Sequence, residues 1–318
     1  MRIVSLLPSA TEILFALGLD KEIVGVSHEC DFPAEARARR VVIHSRLPHD
    51  ASPAEIDRLV REYCSRGESL YSVDAAALAE LKPDLIATQD LCQVCAASPD
   101  DLATTLTGFA VPPEVLCLNP QDLGDVWRDI LWVGEDTRRG HEAEALLGKI
   151  GTRLGELENQ LQGIAHRPRV AILEWLQPFY AGGHWVPEMI EIAGGKDVLG
   201  KKRTPSFRVT PEDVIDAAPE ILLIAQCGYS AKQARDEYNA MTFPEGWSAI
   251  PAVRNSRVYA MDASGYFSRP GPRLMTGIEA LAKILHPEIV VSPEAQSVAV
   301  PISVAPVSSI PSSLRASA

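Results

Sequence analysis

The chain has 318 residues, which is enough for two domains, because single domains usually contain about 100–200 residues. Its formal net charge of −12 argues against nucleic acid as a partner, since proteins that bind a phosphate backbone concentrate Lys and Arg. No apolar run reaches the roughly 20 residues that span a bilayer, and the apolar stretch at the start is too short for a signal peptide. As written, the sequence predicts a cytoplasmic protein without membrane insertion, and a periplasmic one only if a leader has been trimmed.

The first 120 residues alternate short apolar strands with amphipathic helices. Strands are predicted at residues 3–7, 23–26, 41–43 and 84–88. The helix after the first strand is predicted to begin with a capping box of Ser9 and Glu12 and to end at Gly18. Further helices are expected to begin at Ser52 and to be capped by Asp74. Because strands separated by helices usually pair in parallel, residues 1–120 are predicted to form one α/β lobe.

The next stretch, residues 121–166, has a helical pattern throughout. Apolar residues recur at steps of three and four, which predicts a helix over residues 137–162. Such a helix would be about 39 Å long at about 1.5 Å per residue, enough to connect two lobes.

A second series of strands and helices begins at residue 169. Residues 218–224 repeat the pattern of residues 81–87, which favours a second, similar lobe over residues 167–289. Residues 290–318 are rich in Ser, Pro, Val and Ala without a helical period, and we expect them to be a disordered tail. The predicted fold is α/β, with two doubly wound lobes of mainly parallel strands joined by a long helix.

Unusual side chains follow the predicted strands in both halves of the sequence. In open parallel sheets, ligands bind at the carboxyl ends of the strands, where the loops converge. Aromatic side chains with polar tips suit a large, partly apolar ligand, although they could instead fill the core around their loops. The aromatic candidates are Trp175, Phe179, Trp185, Tyr229, Tyr266 and Phe267. Arg46 and Arg269 could bind carboxylates or phosphates of a ligand, or form salt bridges at the surface or between the lobes.

A second candidate site combines His28 and Cys30 with Cys92 and Cys95. Imidazole and thiolate are the usual ligands of structural zinc, and four of them from two loops could complete a tetrahedron holding zinc or iron. The alternative is that the cysteines are reduced thiols packed at the edge of the lobe. His28 could also bind the metal of a ligand directly, since imidazole is a common metal donor.

The sequence contains none of the common catalytic motifs. It has no GxSxG, no P-loop and no GxGxxG after the first strand, so we predict that the protein is not an enzyme.

Four sequence segments carry a resemblance to a known family. They are residues 3–12, residues 24–27 with 31–33, residues 81–86, and residues 178–179 with 192–195. Together, over about residues 2–287, they resemble a leaderless branch of the cobalamin-type (class III) substrate-binding proteins of ABC importers. The resemblance implies two α/β lobes joined by one long helix, and a cobalamin, haem or siderophore ligand.

The resemblance also implies roles for individual residues. Phe179, Tyr266 and Phe267 match positions where relatives present aromatic rings to the corrinoid. Gln89 and Arg46 stand where vitamin B12 binders have Trp, which implies a more polar pocket on the first lobe. Glu212 matches one of the two acidic residues that dock on the permease, whereas the other position is Ala76.

We therefore predict non-catalytic binding of a corrinoid or similar metal chelate between the lobes, with the substrate-binding component of an ABC importer as one role that would use it. Trp175, Phe179, Trp185, Tyr229, Tyr266 and Phe267 would contact the ligand's faces, with polar contacts from His28, Arg46, Gln89 and Arg269. The first alternative is a cytoplasmic zinc or iron protein with a sensing or redox role. The second is an enzyme that acts on a corrinoid or a related cofactor.

Overall fold

The first lobe contains a six-stranded sheet whose strands are parallel except at one edge. The computed structural model describes residues 1–48, 50–89, 102 and 105–303. In sheet order the strands are β4 (Tyr71–Val73), β3 (Arg40–Ser45), β2 (Ile23–Ser27), β1 (Ile3–Ser5), β5 (Leu85–Gln89) and β6 (Glu114–Leu118), and β4 is the antiparallel one. The helices of this lobe that the structure describes in full are α1 (Pro8–Ala16), α2 (Pro53–Arg66) and α3 (Ala75–Leu81). The strand order reverses between β1 and β5, as the doubly wound prediction requires, and such a reversal opens a crevice at the strands' carboxyl ends.

Local capping explains where two of these helices begin. The Ser52 side chain accepts a hydrogen bond from the backbone N–H of Glu55, and that of Asp74 accepts one from Ala77, as predicted. The predicted capping box of α1 is wrong. This helix begins at Pro8 without a side-chain cap, and the Glu12 carboxylate binds groups of the second lobe instead.

The second lobe contains a seven-stranded mixed sheet. Its strands in order are β10 (Phe207–Arg208), β8 (Phe179–Ala181), β7 (Arg169–Leu176), β11 (Ile221–Ile224), β12 (Val258–Met261) and β13 (Ala299–Pro301), with β9 (Lys196–Asp197) also paired with β7. The central strands β7, β11 and β12 are parallel. The helices are α6 (Val186–Ile192), α7 (Pro211–Ala217), α8 (Ala231–Ala240), α9 (Pro251–Arg254), α10 (Ala263–Tyr266), α11 (Leu274–Leu285) and α12 (Pro293–Gln296).

Two helices, α4 (Leu123–Asp136) and α5 (Gly140–Leu161), connect the lobes. The prediction of one helix beginning at residue 137 is wrong, because Arg138 adopts a φ of 60° and turns the chain between them. Helix α4 packs against α1 of the first lobe, and α5 packs against α11 of the second. The connection is therefore helical, as predicted, but it is a pair of helices.

The predicted disordered tail is wrong for its first part. Residues 293–296 form α12, and β13 pairs antiparallel with β12. Ile302 is buried in the core of the second lobe. Residues 304–318 lie outside the described residues.

One apolar core runs through both lobes and the connecting helices. It includes Ile3 of β1, Val133 of α4, Ile150 of α5 and Leu281 of α11. Within the described part of the chain, no helix is both long and apolar enough to cross a membrane. The domain boundaries at residues 120, 166 and 289 stay a prediction, because this core joins the parts that they separate.

Candidate functional site

A cavity of about 320 Å³ lies between the two lobes. The first lobe contributes the middle of α2 and the end of β5. The second lobe contributes residues of β7 and β8, the segments that follow β8 and β11, the segment just before β10, and the loop after α10. The lining residues of the first lobe are Ile56, Asp57, Val60 and Gln89. Those of the second lobe are Glu174, Trp175, Tyr180, Gly183, His184, Trp185, Val186, Pro205, Ser206, Ala225, Cys227, Phe267, Ser268 and Pro270. The cavity therefore lies where carboxyl ends of the strands face each other, as open parallel sheets predict.

The rings of Trp175, Trp185 and Phe267 form an apolar part of the wall of this cavity. The indole N–H of Trp175 donates to the backbone carbonyls of Gln177 (3.1 Å) and Pro53 (3.3 Å). That of Trp185 donates to the carbonyl of Phe267 at 2.8 Å. Because both indole donors are used by the backbone, these two rings offer the cavity apolar surface.

The polar part of the wall lies where the backbone at Gly183 passes close to the backbone of residues 204–206. A side chain at Gly183 would place its Cβ 2.3 Å from the carbonyl oxygen of Thr204, so only glycine lets these two segments meet. Glu174 accepts hydrogen bonds from the Gly183 N–H (3.3 Å) and from the Ser206 hydroxyl. The close contact between these two segments thus positions the Glu174 carboxylate at the cavity.

His184, the residue after Gly183, has an uncommon left-handed backbone conformation. Its φ is 46°, and its backbone is held by hydrogen bonds with Thr204 (2.7 Å) and Arg203 (3.1 Å). Burial lowers the pKa of the imidazole below its usual value, so the ring is neutral at pH 7. Its Nδ1 is buried and has no hydrogen-bond partner among the described residues.

Two ionic clusters join the lobes beside the cavity. In the α2 bridge, Asp57 accepts two hydrogen bonds from Arg208 (both 2.7 Å) and one from the Tyr180 hydroxyl (3.3 Å). Arg61 of α2 binds the same carboxylate at 2.9 Å.

The second cluster, the α1 bridge, consists of Glu12, Asp31, Arg269 and Arg273. Arg273 binds the buried Glu12 carboxylate through two nitrogens (2.8 and 2.5 Å), and Arg269 binds Asp31 at 2.6 Å. Bidentate, partly buried pairs of this kind are the stronger class of charged hydrogen bonds.

The structure brings four of the predicted ligand-binding residues together. They are Gln89, Trp175, Trp185 and Phe267. The prediction that Phe179 contacts the ligand is corrected by the structure. Phe179 is buried in the second lobe, where it packs against Trp247 with ring centroids 5.4 Å apart. Its neighbour Tyr180 lines the cavity instead, since successive side chains of a strand point to opposite faces.

Four other predicted residues do not line the cavity. The Tyr229 ring contacts the Trp175 ring edge-on, with ring centroids 5.8 Å apart. The Tyr266 hydroxyl donates a hydrogen bond to Glu294 at 3.0 Å. Arg269 forms the α1 bridge, which was the alternative considered for it, and Arg46 is exposed.

The predicted metal site gains no support from the described residues. Cys30 is buried, its Sγ accepts a hydrogen bond from the Thr11 hydroxyl at 3.0 Å, and burial raises the pKa of its thiol to about 12. His28 lies outside the cavity lining, and its Nδ1 is 3.1 Å from the carbonyl oxygen of Ile43. The described residues contain no metal-binding group of three or more His, Cys, Asp or Glu side chains, and Cys92 and Cys95 lie outside them.

Sequence reasoning missed several residues of the cavity. Asp57 lies within α2 and carried no local signal, because its role depends on how the lobes meet. His184 follows Gly182 and Gly183, and this pair of glycines directly after β8 is the signal that could have found it.

Comparison with known proteins identifies the fold and the family. The model described as periplasmic binding protein matches residues 3–264. The uncharacterized ABC transporter substrate-binding lipoprotein YvrC of Bacillus subtilis (strain 168) is 25% identical over 293 residues, which cover 90% of this chain and 80% of that protein. A vitamin B12-binding protein of Vibrio parahaemolyticus is 23% identical over 290 residues, which cover 87% of this chain and 86% of that protein.

Solved structures share the arrangement of the lobes. A periplasmic haem-binding protein of Pseudomonas aeruginosa has a TM-score of 0.70 at 20% identity, covering 95% of this chain and 98% of that one. The periplasmic vitamin B12 binding protein of Vibrio cholerae has a TM-score of 0.60 at 22% identity, covering 89% and 96%. These likenesses confirm the predicted fold class.

The relatives also bear on two functional predictions. Their names describe binding proteins, in agreement with the prediction of a non-catalytic protein. They do not support the cytoplasmic location expected from the sequence, because the YvrC relative is named as a lipoprotein and the solved structures as periplasmic. With the family model matching most of its length, and with the fold shared as well, the chain belongs to the periplasmic binding protein family.

Proposed function

We propose that this protein is the substrate-binding component of an ABC importer and that it carries a corrinoid or a similar metal chelate. The observation that carries the proposal is the cavity between the lobes, whose wall is formed by the rings of Trp175, Trp185 and Phe267. Aromatic walls with a few fixed polar groups are typical of sites for large, partly apolar ligands.

The relatives support the chemical class of the ligand. Several of them are named vitamin B12-binding proteins, and structural neighbours are named for haem or iron. All of these ligands carry or are a metal ion, and the metal here is part of the cargo. Among them we favour the corrinoid, because the sequence relatives include several vitamin B12-binding proteins.

The same relatives support a place of action outside the cytoplasm. A lipoprotein or a periplasmic protein meets its ligand before the permease does, and we propose this order for the present chain.

The permease contact would be asymmetric. Glu212 is exposed in the first turn of α7, where an acidic docking residue is accessible. Ala76 is exposed on α3 and carries no charge. Docking would therefore rely on the second lobe for its ionic contact.

Native mass spectrometry tests the ligand class. The protein is mixed separately with cobalamin, cobinamide, haem and a ferric siderophore, and we expect a one-to-one adduct with a corrinoid. Trp175→Ala removes part of the aromatic wall and is expected to weaken this adduct by a factor on the order of 10.

Trp132→Ala is the matched control, since Trp132 is exposed on α4 away from the cavity. Circular dichroism checks that both variants fold. Absence of any corrinoid adduct, or equal weakening by both substitutions, would contradict the proposal.

A further inference from the structure

Residues 198–206, the connecting segment, join β9 to β10 and supply part of the cavity wall. The backbone of this segment pairs with the backbone of His184, which lines the same cavity. The Arg203 N–H donates to the His184 carbonyl at 3.1 Å, and the His184 N–H donates to the Thr204 carbonyl at 2.7 Å. The position of His184 therefore depends on the position of the connecting segment.

Both partners in this backbone pairing have a left-handed conformation. The φ angle is 46° at His184 and 56° at Arg203. Such a conformation costs free energy for a residue other than glycine, and it persists only where the surrounding contacts hold it. The contacts that hold the Arg203 side chain are therefore also contacts that hold this part of the wall.

The Arg203 side chain binds the start of α4, one of the two helices between the lobes. Its guanidinium pairs with the carboxylate of Asp122, the N-cap residue of α4. The other oxygen of Asp122 accepts the backbone N–H of Asp125 at 2.8 Å, so the capping bond and the ion pair use different oxygens. Because α4 packs against α1, this ion pair connects the wall of the second lobe to a helix that contacts the first lobe.

A second contact joins the same turn of α4 to the cavity wall. The Glu188 carboxylate accepts the backbone N–H of Leu123, the first residue of α4, at 3.1 Å. An N–H in the first turn of a helix has no acceptor within that helix, and a carboxylate there also interacts favourably with the helix dipole. Glu188 lies in the first turn of α6, which begins directly after Trp185 of the wall.

We infer that the first turn of α4 positions the part of the cavity wall formed by His184 and Trp185, and that Arg203 and Glu188 are positioning residues of the ligand site. Neither side chain is among the residues that line the cavity. Arg203 acts through the backbone of His184, and Glu188 acts through the first turn of α6. The inference rests on the proposed function and adds to it two residues that do not touch the ligand.

A double-mutant cycle tests the role of Arg203. Asp122→Asn isolates the ion pair, because asparagine caps a helix about as well as aspartate and carries no charge. Arg203→Asn removes the guanidinium and introduces a residue that tolerates the left-handed backbone. Titration calorimetry should show dicyanocobinamide binding weakened about two- to fivefold in each variant, the range expected for one partly exposed ion pair. The double variant should bind no more weakly than the single variants, because all three lack the same contact.

Amide hydrogen exchange measures the positioning in the protein without ligand. The His184 N–H should exchange faster in Asp122→Asn and in Arg203→Asn than in the parent, since its acceptor is then held less firmly. Asp236→Asn is the matched control, because the ion pairs of Asp236 stay within α8. It should change neither the exchange of His184 nor the affinity.

Two substitutions at Glu188 test the second contact. Glu188→Ala removes the acceptor of the Leu123 N–H and should weaken dicyanocobinamide binding severalfold. Glu188→Gln keeps an oxygen that can accept this N–H, so it should recover most of the lost affinity. A lower unfolding temperature in Glu188→Ala with unchanged affinity would show that Glu188 stabilises the fold without positioning the wall.

The outcomes separate this inference from the proposed function. If the parent binds no corrinoid, the proposed function fails, and the exchange of the His184 N–H still tests the positioning. If the parent binds dicyanocobinamide but the losses of Asp122→Asn and Arg203→Asn multiply in the double variant, the ion pair does not position the wall and the inference is wrong. Unchanged exchange of His184 in both single variants would contradict it as well.

Discussion

Asp129 lies on the buried face of α4, where it is 3% exposed. Burial raises the pKa of its carboxyl to about 7, and the neighbouring Asp125 contributes to the rise. An unfolded Asp ionises near its ordinary pKa of 3.8. Between these values the folded protein holds a proton that the unfolded chain has lost, so the free energy of unfolding decreases as the pH rises from about 4 to 7.

We therefore expect Asp129→Asn to stabilise the protein at pH 8, by about 1–3 kcal/mol, because an amide carries no charge to bury. At pH 4 the two proteins should be of similar stability. Urea denaturation at both pH values measures this. A variant that is less stable than the parent at pH 8 would show that the carboxylate is well solvated or paired.

Residue positions at strand ends were predictable, whereas side-chain directions were not. Gln89, Trp175, Trp185 and Phe267 line the cavity because the carboxyl ends of parallel strands meet there. Phe179 and Tyr180 are adjacent in β8, and only one of them can face the cavity. The sequence offers two aromatic residues and no local signal for which face is which.

At the scale of elements, the close approach of residues 183–184 to residues 203–206 shapes the polar wall. Gly183→Ala would force these segments apart, since its Cβ would also lie 2.5 Å from the Ser206 nitrogen. We expect a loss of about 1–3 kcal/mol in stability, and weaker corrinoid binding because Ser206 and His184 move. Thermal unfolding and calorimetry measure the two effects.

Gly148→Ala provides the control for this change. Gly148 lies within α5, where a Cβ meets no atom within 4 Å. Alanine is favoured over glycine in a helix by about 0.5–1 kcal/mol, so this variant should gain stability. If Gly183→Ala and Gly148→Ala changed the stability equally, the backbone contact between Gly183 and residues 204–206 would not be tight.

Helix starts with a side-chain cap were easier to predict than the break between α4 and α5. Ser52 and Asp74 supply an oxygen for a free backbone N–H, which is a local property of the sequence. The turn at Arg138 contains neither Gly nor Pro, so no local preference marks it. It is the packing of α4 against α1 and of α5 against α11 that favours two helices over one.

At the scale of the whole molecule, the α1 and α2 bridges hold the lobes together on different elements. Glu12 of the α1 bridge lies on α1, which packs against α4. Asp57 of the α2 bridge lies on α2, which lines the cavity. We therefore expect that opening the cavity requires the α2 bridge to break.

Asp57→Asn should accelerate both binding and release of a corrinoid severalfold, because an amide holds Arg208 less strongly than a carboxylate does. Stopped-flow tryptophan fluorescence with dicyanocobinamide measures the rates. Glu62→Gln is the control, since Glu62 pairs with Arg58 within α2 and does not reach the second lobe. Unchanged rates in Asp57→Asn would show that the ligand reaches the cavity without separation of α2 from Arg208.

The two-lobed plan was predictable, because alternating strands and helices on either side of a long helical stretch leave few other arrangements. The ordered segment after residue 290 was not. Its composition is that of a tail, and its order comes from pairing with β12 and from the burial of Ile302.

Strand β13 gives residues 299–301 a structural role. It covers an edge of the second sheet that would otherwise present unpaired backbone groups, the usual starting point of intermolecular sheet growth. A shortened form for crystallisation should therefore retain the chain through Ser303, although the composition of residues 290–303 alone predicts a disordered tail.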